Sequence, residues 1–412
     1  MSVKTIGAAE VSVDFGDPEF VRNPWATLEA VREQGRVAYN PRLDAWMVPG
    51  YRDAAKVLGN ARSFTTERLG ETLSGLFGGT TMQFEDTPRH DRIKAVWAKT
   101  FRRDDLTPLT GMVREVVDQR LAGFVERFRS GEAVDVRRYL TRGIPTIVIA
   151  RMMGLPEEDH ETFSGWSDAM GRILGGSMDP TPRGQEMVRQ GREGTAAMNA
   201  YLRDVVADRR RRGTTDDLVG ALVNSDVARS EMAEDEIVAS VTQLVFAGNE
   251  TTANLMALTV AALAEHPDQR RQLVQDRSLV SAAIEEVNRW QTPVALKNRH
   301  ARGGVAEIAG TPIPDDALVV TLQIAANRDP DRWKQPERFD IHRTPQPHLG
   351  FGFGRHVCLG LNLARLETIV WLDRLLDEVP DWELASEIDY GNNFWVRGPK
   401  SLLVSKPVQS GA

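Results

Sequence analysis

Apolar residues recur at helical spacing through most of the chain. The clearest example runs from Met112 to Phe128. Its apolar stripe contains Val113, Val116, Val117, Leu121, Phe124 and Val125. Such a stripe predicts an amphipathic helix with one buried face. Residues 185–211 and 278–291 have similar patterns, and the second must end before Pro293 because proline breaks helical hydrogen bonds.

The longest helical pattern follows the acidic segment after Ser230 and contains no proline before Pro267. About 30 helical residues span roughly 45 Å. Because the segment is apolar around most of its circumference, we expect it to cross the middle of the protein. It is interrupted by four polar residues: Gln243, Asn249, Glu250 and Asn254. They make it too polar for a membrane span and favour a helix buried in protein.

Strand-like segments are short and lie outside these helices. They cover residues 36–39, 45–49, 305–309, 310–316, 317–321 and 401–405. The chain is therefore predicted to be mainly α with small peripheral β-sheets. No linker, repeat or composition shift divides residues 1–412, so we expect a single domain.

Charge and cysteine content narrow the function classes. The formal net charge of -7 disfavours a nucleic-acid partner, which requires a basic surface. A single cysteine in 412 residues excludes an intrachain disulfide and is typical of a reducing compartment. The first ten residues contain no apolar core of the signal-peptide type, so a cytoplasmic protein without a membrane partner is expected.

The sole cysteine, Cys358, lies in a glycine-rich segment, residues 350–360, with glycine at 350, 352, 354 and 360. Glycines permit tight turns and close approach to a flat ligand. We expect a helix to begin at Cys358, where its positive end favours a thiolate. A lone cysteine is also compatible with a small buried core side chain. A dinucleotide loop is disfavoured because the glycines do not follow G-x-G-x-x-G.

This segment resembles the haem-ligand loop of cytochromes P450, F-x-x-G-x-x-x-C-x-G. Phe351, Gly354, Cys358 and Gly360 match it without gaps. The resemblance implies the cytochrome P450 fold and haem b, with the Cys358 thiolate as iron ligand. It also places Phe351, Gly352 and Gly360 against the cofactor. In this family the thiolate donates electron density that favours O–O cleavage.

Glu286 and Arg289 resemble the E-x-x-R motif of the same family. In isolation such a pair contributes only a few tenths of a kcal/mol to a helix. The resemblance implies a structural role behind the haem, completed by a downstream cation that we assign to Arg338. These three residues are predicted to support folding and haem retention rather than chemistry.

Residues 247–252, Ala-Gly-Asn-Glu-Thr-Thr, resemble the oxygen-activation motif of the family. A glycine inside a helix lowers helix stability by about 1 kcal/mol relative to alanine. Its presence suggests that another group closely approaches the backbone at Ala247 and Gly248. The resemblance implies that Thr251 bends or opens the helix and hydrogen-bonds dioxygen, and that Glu250 relays protons as a general acid. The alternative is that these polar side chains only form hydrogen bonds inside a helix and have no catalytic role.

Four residues match the family's positions for the haem propionates. His90 and Lys94 stand where the family usually has H-x-x-x-R, and lysine keeps the charge without the bidentate fork of arginine. Arg299 and His356 match the other two positions. With these motifs the resemblance extends from about residue 15 to residue 405, and it indicates a soluble bacterial cytochrome P450.

The resemblance also places substrate contacts in four regions of the chain. They offer Phe77 and Met82, then Gln243, Leu244 and Phe246, then Val294, Ala295 and Leu296, and finally Phe394. This set is apolar with aromatic members, which suits a small, flat, neutral molecule. No arginine or serine cluster suggests a carboxylate anchor, so a benzoate is disfavoured. Each of these positions is equally compatible with ordinary core packing.

A weaker resemblance concerns the substrate. Residues 293–301, Phe394 and the Asn249–Glu250 pair are similar to P450s that O-demethylate guaiacols, and Ala169 would leave room for a ring substituent. This implies conversion of guaiacol or a 4-alkylguaiacol to a catechol and formaldehyde. The alternatives are a hydroxylase of a terpenoid or another natural product, a peroxide-driven enzyme and a non-catalytic haem-thiolate sensor.

The chain contains no flavin or iron–sulfur motif. Electrons for dioxygen are therefore expected from a separate ferredoxin or from a flavin or iron–sulfur reductase linked to NAD(P)H. A basic docking face is predicted near Cys358, with these members: Lys99, Arg102, Arg103, Arg355 and Arg365.

Overall fold

A computed structural model describes residues 8–213, 216–304 and 306–407, apart from the side chains of residues 71, 72 and 74. Most of the N-terminal decapeptide and Val305 of the predicted strand segment 305–309 lie outside the described residues.

Seventeen α-helices occupy most of the part of the chain that the structure describes. They are α1 (Pro18–Arg22), α2 (Trp25–Glu33), α3 (Tyr51–Gly59), α4 (Glu67–Phe77), α5 (Arg89–Ala98), α6 (Arg103–Leu106), α7 (Thr110–Arg129), α8 (Gly143–Met152), α9 (His160–Ser177), α10 (Pro182–Arg212), α11 (Leu218–Val223), α12 (Asp226–Glu231), α13 (Glu234–Glu265), α14 (Pro267–Gln275), α15 (Val280–Gln291), α16 (Gln323–Ala326) and α17 (Leu361–Glu378).

The strands are short. They are β1 (Ala9–Glu10), β2 (Ala38–Asn40), β3 (Ala45–Val48), β4 (Phe64–Thr65), β5 (Val134–Asp135), β6 (Lys297–Ala301), β7 (Glu307–Ile308), β8 (Thr311–Pro312), β9 (Leu318–Thr321), β10 (Glu383–Leu384) and β11 (Leu403–Ser405). They form a six-stranded sheet in the order β1-β2-β3-β9-β6-β4, a three-stranded sheet β10-β11-β5 and the hairpin β7-β8. The prediction of a mainly helical protein with small β-sheets is confirmed.

The central helix α13 is buried along nearly its whole length, from Ile237 to Leu263, and packs against α8, α9, α10, α15 and α17. It begins later than predicted, because Met232 and Ala233 are extended and separate it from α12, which contains Ser230. The Glu236 carboxylate accepts a hydrogen bond from the backbone N–H of Ala233 and caps the new start. Among the described residues, no helix combines the length and apolarity that crossing a bilayer requires.

Strand β6 pairs antiparallel with β4 and with β9. In β6, Arg299 pairs with Val319 of β9, and Lys297 pairs with Thr321. Residues two apart in a strand project from the same face. The side chains of Lys297 and Arg299 therefore leave β6 on the same side.

Candidate active site

The loop that carries Cys358 is shaped by its own backbone. The Cys358 N–H donates to the Phe351 carbonyl (2.9 Å), and the Val357 N–H donates to the Gly354 carbonyl (3.1 Å). Gly354 has φ 73°, and a Cβ there would lie 2.9 Å from the carbonyl oxygen of Leu58. A side chain at 354 would therefore be strained twice, by its backbone angle and by collision with α3.

The prediction that the helix after this loop begins at Cys358 is wrong. Residues 354–356 form a short 3-10 turn, and α17 begins at Leu361 after Gly360. Four residues, 357–360, separate the turn from the helix. The helix end still contributes to the thiol, because the backbone N–H of Gly360 lowers its pKa.

Cys358 is surrounded by protein, and its accessible surface faces a cavity. Burial raises the pKa of its thiol, while the ammonium groups of Lys297 and Lys94 oppose that shift. Deprotonation of a buried thiol requires a nearby positive charge, and a bound metal ion supplies the strongest one. The site therefore suits a metal-bound thiolate.

The cavity is a slot between α13 and the cysteine loop. The α13 wall comprises Leu244, Ala247, Gly248, Thr251, Thr252 and Leu255. The opposite wall comprises Phe351, Gly352, Val357, Cys358, Leu359, Gly360, Leu363 and Ala364. These side chains are small or apolar, and the only sulfur among them is that of Cys358.

Thr251 is bonded to the preceding turn of α13. Its hydroxyl donates to the Ala247 carbonyl (2.9 Å) one turn earlier, and residues 247–252 are helical throughout. Helix α13 is therefore unbroken at Thr251, so the predicted opening is not seen, while a bend at Thr251 stays a prediction. Both residues line the cavity.

Glu250 points away from the cavity. Its Oε1 accepts from Lys400 Nζ (2.7 Å) and lies 3.9 Å from Arg137 Nη2, while Oε2 has no hydrogen-bond partner among the described residues. Burial raises the pKa of this carboxyl, but attraction to Lys400 and Arg137 outweighs that effect and leaves the pKa lowered. Glu250 is therefore an ionised carboxylate behind the α13 wall.

Four cation or histidine positions predicted for the propionates meet at one edge of the slot. His90, Lys94, Arg299 and His356 all line it. The His90 and His356 rings lie 4.3 Å apart. Burial, Arg299 and His90 lower the pKa of His356 to about 2, so this imidazole is neutral.

The two remaining members of this edge are charged and have different partners. Lys94 Nζ donates to the carbonyls of Arg355 (2.6 Å) and Val357 (2.9 Å) in the cysteine loop. Arg299 Nη1 donates to the Asn298 carbonyl (2.8 Å). Neither contact supplies a counter-charge, so this edge is prepared for an anion.

Sequence reasoning missed Lys297, which lines the same cavity as Arg299. Its position two residues before Arg299 was the available signal, because alternate residues of a strand share a face. It also missed several apolar lining residues: Leu69, Ile149, Leu255 and Trp395.

Only part of the predicted substrate set reaches the cavity. Met82, Gln243, Leu244 and Val294 line it. The other predicted members are packed away from that lining: Phe77, Ala169, Phe246, Ala295, Leu296 and Phe394. Aromatic packing explains three of them, because Phe394 stacks on Phe15 at 5.3 Å and Phe77 packs edge-on against Phe246 at 5.9 Å. Ala169 lies at the α9–α10 contact, beside Gly194.

The structural pair Glu286–Arg289 is buried, as expected, but its third member is Arg343. Arg289 Nε donates to Glu286 Oε2 (2.7 Å), and Arg343 Nε lies 3.1 Å from both Glu286 oxygens. Arg338, the predicted partner, contributes only its carbonyl, which accepts from Arg289 (3.2 Å) and Arg343 (2.9 Å). The prediction that Arg338 is the third charged member is wrong, because its guanidinium contacts Gln335 instead.

A haem fits these residues. The cavity lies between α13 and the cysteine loop, its lining contains a single thiol, and Lys94 and Arg299 supply cations for two propionates. This donor set is one that a haem-thiolate centre needs.

Comparisons with known proteins agree with this geometry. The cytochrome P450 family matches residues 43–380. The cytochrome P450 monooxygenase PikC of Streptomyces venezuelae is 32% identical over 400 residues, which are 93% of this chain and 91% of PikC. The vitamin D(3) 25-hydroxylase of Pseudonocardia autotrophica is 31% identical, with 98% of each chain covered.

Solved structures give the same result. CYP109E1 of Bacillus megaterium, in complex with testosterone, has a TM-score of 0.85 at 27% identity and covers 95% of this chain and 100% of its own. P450BioI, in complex with an acyl carrier protein carrying hexadec-9Z-enoic acid, has a TM-score of 0.84 at 28% identity and covers 94% and 99%. Haem b with a cysteine thiolate ligand is the cofactor of this family, and Cys358 is the sole cysteine. The chain therefore belongs to the cytochrome P450 family of monooxygenases.

Proposed function

We propose that this monooxygenase hydroxylates a hydrophobic small molecule held against α13, next to Val294 and Trp395. The observation that carries the proposal is the lining of the slot, where Leu244, Leu255 and Val294 line the same cavity as Cys358. Apolar walls with few polar groups favour an apolar ligand. When bound, the haem activates dioxygen, so that one oxygen atom enters a C–H bond and the other leaves as water. The balance requires two electrons and two protons.

Protein groups on both sides of the slot would hold the cofactor. Cys358 is the iron ligand of this proposal, while His90, Lys94, Arg299 and His356 hold the propionates. Ala247, Phe351, Gly352 and Gly360 lie against the macrocycle. Lys94 donates to two carbonyls, and the third N–H of its ammonium group would donate to a propionate carboxylate, which is a stronger partner.

Glu250 and Thr251 are proposed to deliver the protons. The Glu250 carboxylate is buried and held by Lys400, whose side chain is 38% exposed, so the pair connects the back of α13 to solvent. Release from Lys400 would let Glu250 accept a proton there. The Thr251 hydroxyl, which donates to Ala247, would then pass a proton into the slot. General-acid help of this kind is typically worth 10²–10⁴-fold, on the order of 3–5 kcal/mol.

O-demethylation of guaiacol or a 4-alkylguaiacol is the specific reaction that the sequence favours. Hydroxylation of the aryl methoxy carbon yields a hemiacetal, which collapses to a catechol and formaldehyde. Met82, Gln243, Leu244 and Val294 support it, since they line the slot. Phe394 and Ala169 give it no support, because they pack elsewhere.

Hydroxylation of an aliphatic natural product is the second candidate. Ile149, Leu69 and Leu255 add aliphatic surface to the lining. Relatives are named for such chemistry, including the mycinamicin IV hydroxylase/epoxidase of Micromonospora griseorubida, which is 32% identical over 88% of this chain. This candidate uses the same cavity and the same proton donors.

A spectral titration of the ferric protein decides between the two. The panel contains guaiacol, 4-alkylguaiacols, benzoates and terpenes. A low-to-high-spin shift marks a ligand that displaces water from the iron. A shift with methoxyphenols, followed by formaldehyde release, supports O-demethylation. No shift with any methoxyphenol overturns it, and a shift with terpenes alone supports the second candidate.

Turnover experiments address the remaining alternatives. Product formed with NADH and redox partners supports dioxygen chemistry, whereas product formed only with hydrogen peroxide indicates a peroxide-driven enzyme. Spin shifts without product in either assay would favour a sensor.

Electrons are proposed to arrive from a separate ferredoxin or reductase docked near Cys358. Arg355 pairs with Asp91, and Arg365 is held by Glu285 through two contacts of 2.7 Å, so part of the predicted basic face is neutralised. Phe353, on the same loop, is 44% exposed and adds apolar surface. The three other basic members are exposed: Lys99, Arg102 and Arg103. Turnover that is independent of ionic strength would argue against electrostatic docking.

We also infer one domain. The larger core cluster contains buried apolar residues from Val13 to Val404, so both ends of the described chain pack into the same core. Limited proteolysis that releases a stable, folded fragment would contradict this.

A further inference from the structure

Lys297 places an ammonium group in the same cavity as Cys358. It lines the slot on the same face of β6 as Arg299. Its backbone is well held, since the Thr321 hydroxyl donates to the Lys297 carbonyl (3.0 Å). No described residue forms a hydrogen bond or ion pair with its ammonium group. A buried charge without a partner is costly, so its retention calls for an explanation.

The groups around Lys297 affect the pKa of its ammonium group in opposite directions. Burial lowers the pKa of Lys297, the Cys358 sulfur raises it, and the neighbouring charge of Arg299 lowers it. Asp86 is the acid that faces Arg299. However, Asp86 already accepts from the Thr65 hydroxyl (2.6 Å) and pairs with Arg302 (2.9 Å). Lys297 and Arg299 are therefore neighbouring like charges, and the negative groups that face them are the Cys358 sulfur and the already engaged Asp86.

Along the chain, Lys297 lies between residues of two functional regions. Arg299, two residues later, belongs to the propionate edge. Val294, three residues earlier, lines the apolar part of the slot. An anion bound by Lys297 would thus sit where the cofactor edge meets the space for substrate.

We propose that the Lys297 ammonium binds a carboxylate inside the cavity. Two sources share this chemistry: a haem propionate and the acid group of a substrate. In the substrate case Lys297 anchors one end of an amphipathic acid, whose aliphatic chain lies along Leu244 and Val294. This form rests on the proposed function and replaces the expectation of a neutral substrate, whereas the propionate form does not depend on it.

The test compares Lys297→Met with the native chain, because methionine keeps most of the side-chain length and removes the charge. Lys334→Met is the matched control, since Lys334 is exposed and does not line the cavity. Lys297→Arg asks whether any cation suffices. Three quantities are measured: the melting temperature of the haem-free protein, the rate of haem transfer to apomyoglobin, and the dissociation constants of decanoic acid and decanol from ferric spin-shift titrations.

The two sources give different results. If a propionate is the partner, Lys297→Met accelerates haem transfer about fivefold or more, and Lys297→Arg restores it. If a substrate acid is the partner, decanoic acid binds about tenfold more weakly to Lys297→Met, a loss of about 1.4 kcal/mol, while decanol binding is unchanged. In both cases the haem-free Lys297→Met protein melts no lower than the native one, because an unpaired buried charge has been removed.

Other results overturn the proposal. Unchanged haem transfer together with unchanged acid binding would remove any carboxylate role. A lower melting temperature of the haem-free variant with both other quantities unchanged would make Lys297 a packing residue. If neither decanoic acid nor decanol shifts the spectrum of the native protein, the aliphatic substrate candidate loses support, and haem transfer alone then decides the role of Lys297.

Discussion

Lys400 Nζ lies 2.7 Å from Oε1 of Glu250, so a lysine from the C-terminal segment holds the buried carboxylate of the central helix. The two side chains differ in environment, because that of Glu250 is 3% exposed and that of Lys400 is 38% exposed. Arg137 approaches the same carboxylate oxygen to 3.9 Å. The proposed proton donor is therefore held in its charged form by one buried cation, Arg137, and by one that reaches solvent, Lys400.

Lys400→Met should destabilise the protein at pH 7 by about 1–3 kcal/mol, the range for a hydrogen bond to a charged group. The difference should depend on pH. The pKa of Glu250 is lowered in the folded state from 4.5, so its stabilisation is present above that value and is lost as pH falls through the folded pKa. Urea unfolding of both proteins at pH 7 and below pH 4.5 measures this.

Lys406→Met is the control for this substitution. Lys406 lies in the same segment and donates to the Arg129 carbonyl at the surface, so its loss should have little effect at either pH. A difference between Lys400→Met and the native protein that stays constant with pH would mean that Lys400 stabilises through packing rather than through Glu250.

Glu250→Gln should reduce product formation by at least about 10²-fold, since an amide cannot take up and release the proton. Substrate-induced spin shifts should be unchanged, because Glu250 is not part of the cavity lining. Turnover in H₂O and D₂O gives the solvent isotope effect, which should rise as proton delivery becomes slower. Glu250→Asp keeps the carboxylate and should retain more activity than Glu250→Gln; equal activity of the two variants would exclude the relay.

Local signals were sufficient to predict the glycine-dependent loop of Cys358 and the main helices, although α13 and α17 begin later than predicted. Gly354 is required by a positive φ and by contact with Leu58, and the helix stripe of α7 follows directly from periodicity. Arg343 was missed for a different reason. Both Arg338 and Arg343 lie in irregular chain after α16, where spacing does not determine which guanidinium faces Glu286.

The pocket was harder to predict because aromatic side chains pack equally well in a core. Phe394 contacts Phe15 and Phe20, and both partners are far from it in the sequence. Lys297 shows the reverse problem, since a charged residue in a short strand is usually predicted to lie on the protein surface. Only the pairing of β6 with β9 turns its side chain inward.

Arg343→Met should destabilise the protein by about 3 kcal/mol, because it leaves the buried Glu286 carboxylate with one fewer cation. Arg343 is 14% exposed and Glu286 is 3% exposed, so water replaces the lost partner poorly. Arg338→Met is the matched control and should change stability by less than about 0.5 kcal/mol. Chemical unfolding of both variants checks this, and equal losses would restore Arg338 as a charge partner.

Cys358→Ser should abolish the long-wavelength Soret band of the reduced carbonyl complex. The band requires a thiolate, and the chain contains one cysteine, so no other residue can supply it. Haem content is measured in parallel by extraction, to separate loss of the ligand from loss of the cofactor. A variant that retains both haem and the band would contradict thiolate ligation by Cys358.

Gly354→Ala and Gly360→Ala should separate the fold of the cysteine loop from its contact with haem. At Gly354, φ is 73° and a Cβ would lie 2.9 Å from the Leu58 carbonyl, so alanine should cost about 1–3 kcal/mol with or without cofactor. At Gly360, φ is -84°, and an added Cβ meets no heavy atom within 4 Å. The haem-free Gly360→Ala protein should therefore be as stable as the native one, or up to about 1 kcal/mol more stable.

The two variants should differ again when haem is added. Gly360 is proposed to lie against the macrocycle, so its new methyl group would occupy space that the cofactor needs. Haem titration followed by Soret absorbance should then show weaker binding for Gly360→Ala, although its haem-free melting temperature is undiminished. Native haem affinity in Gly360→Ala would remove this residue from the cofactor site, because open space beside it would then remain open with haem bound.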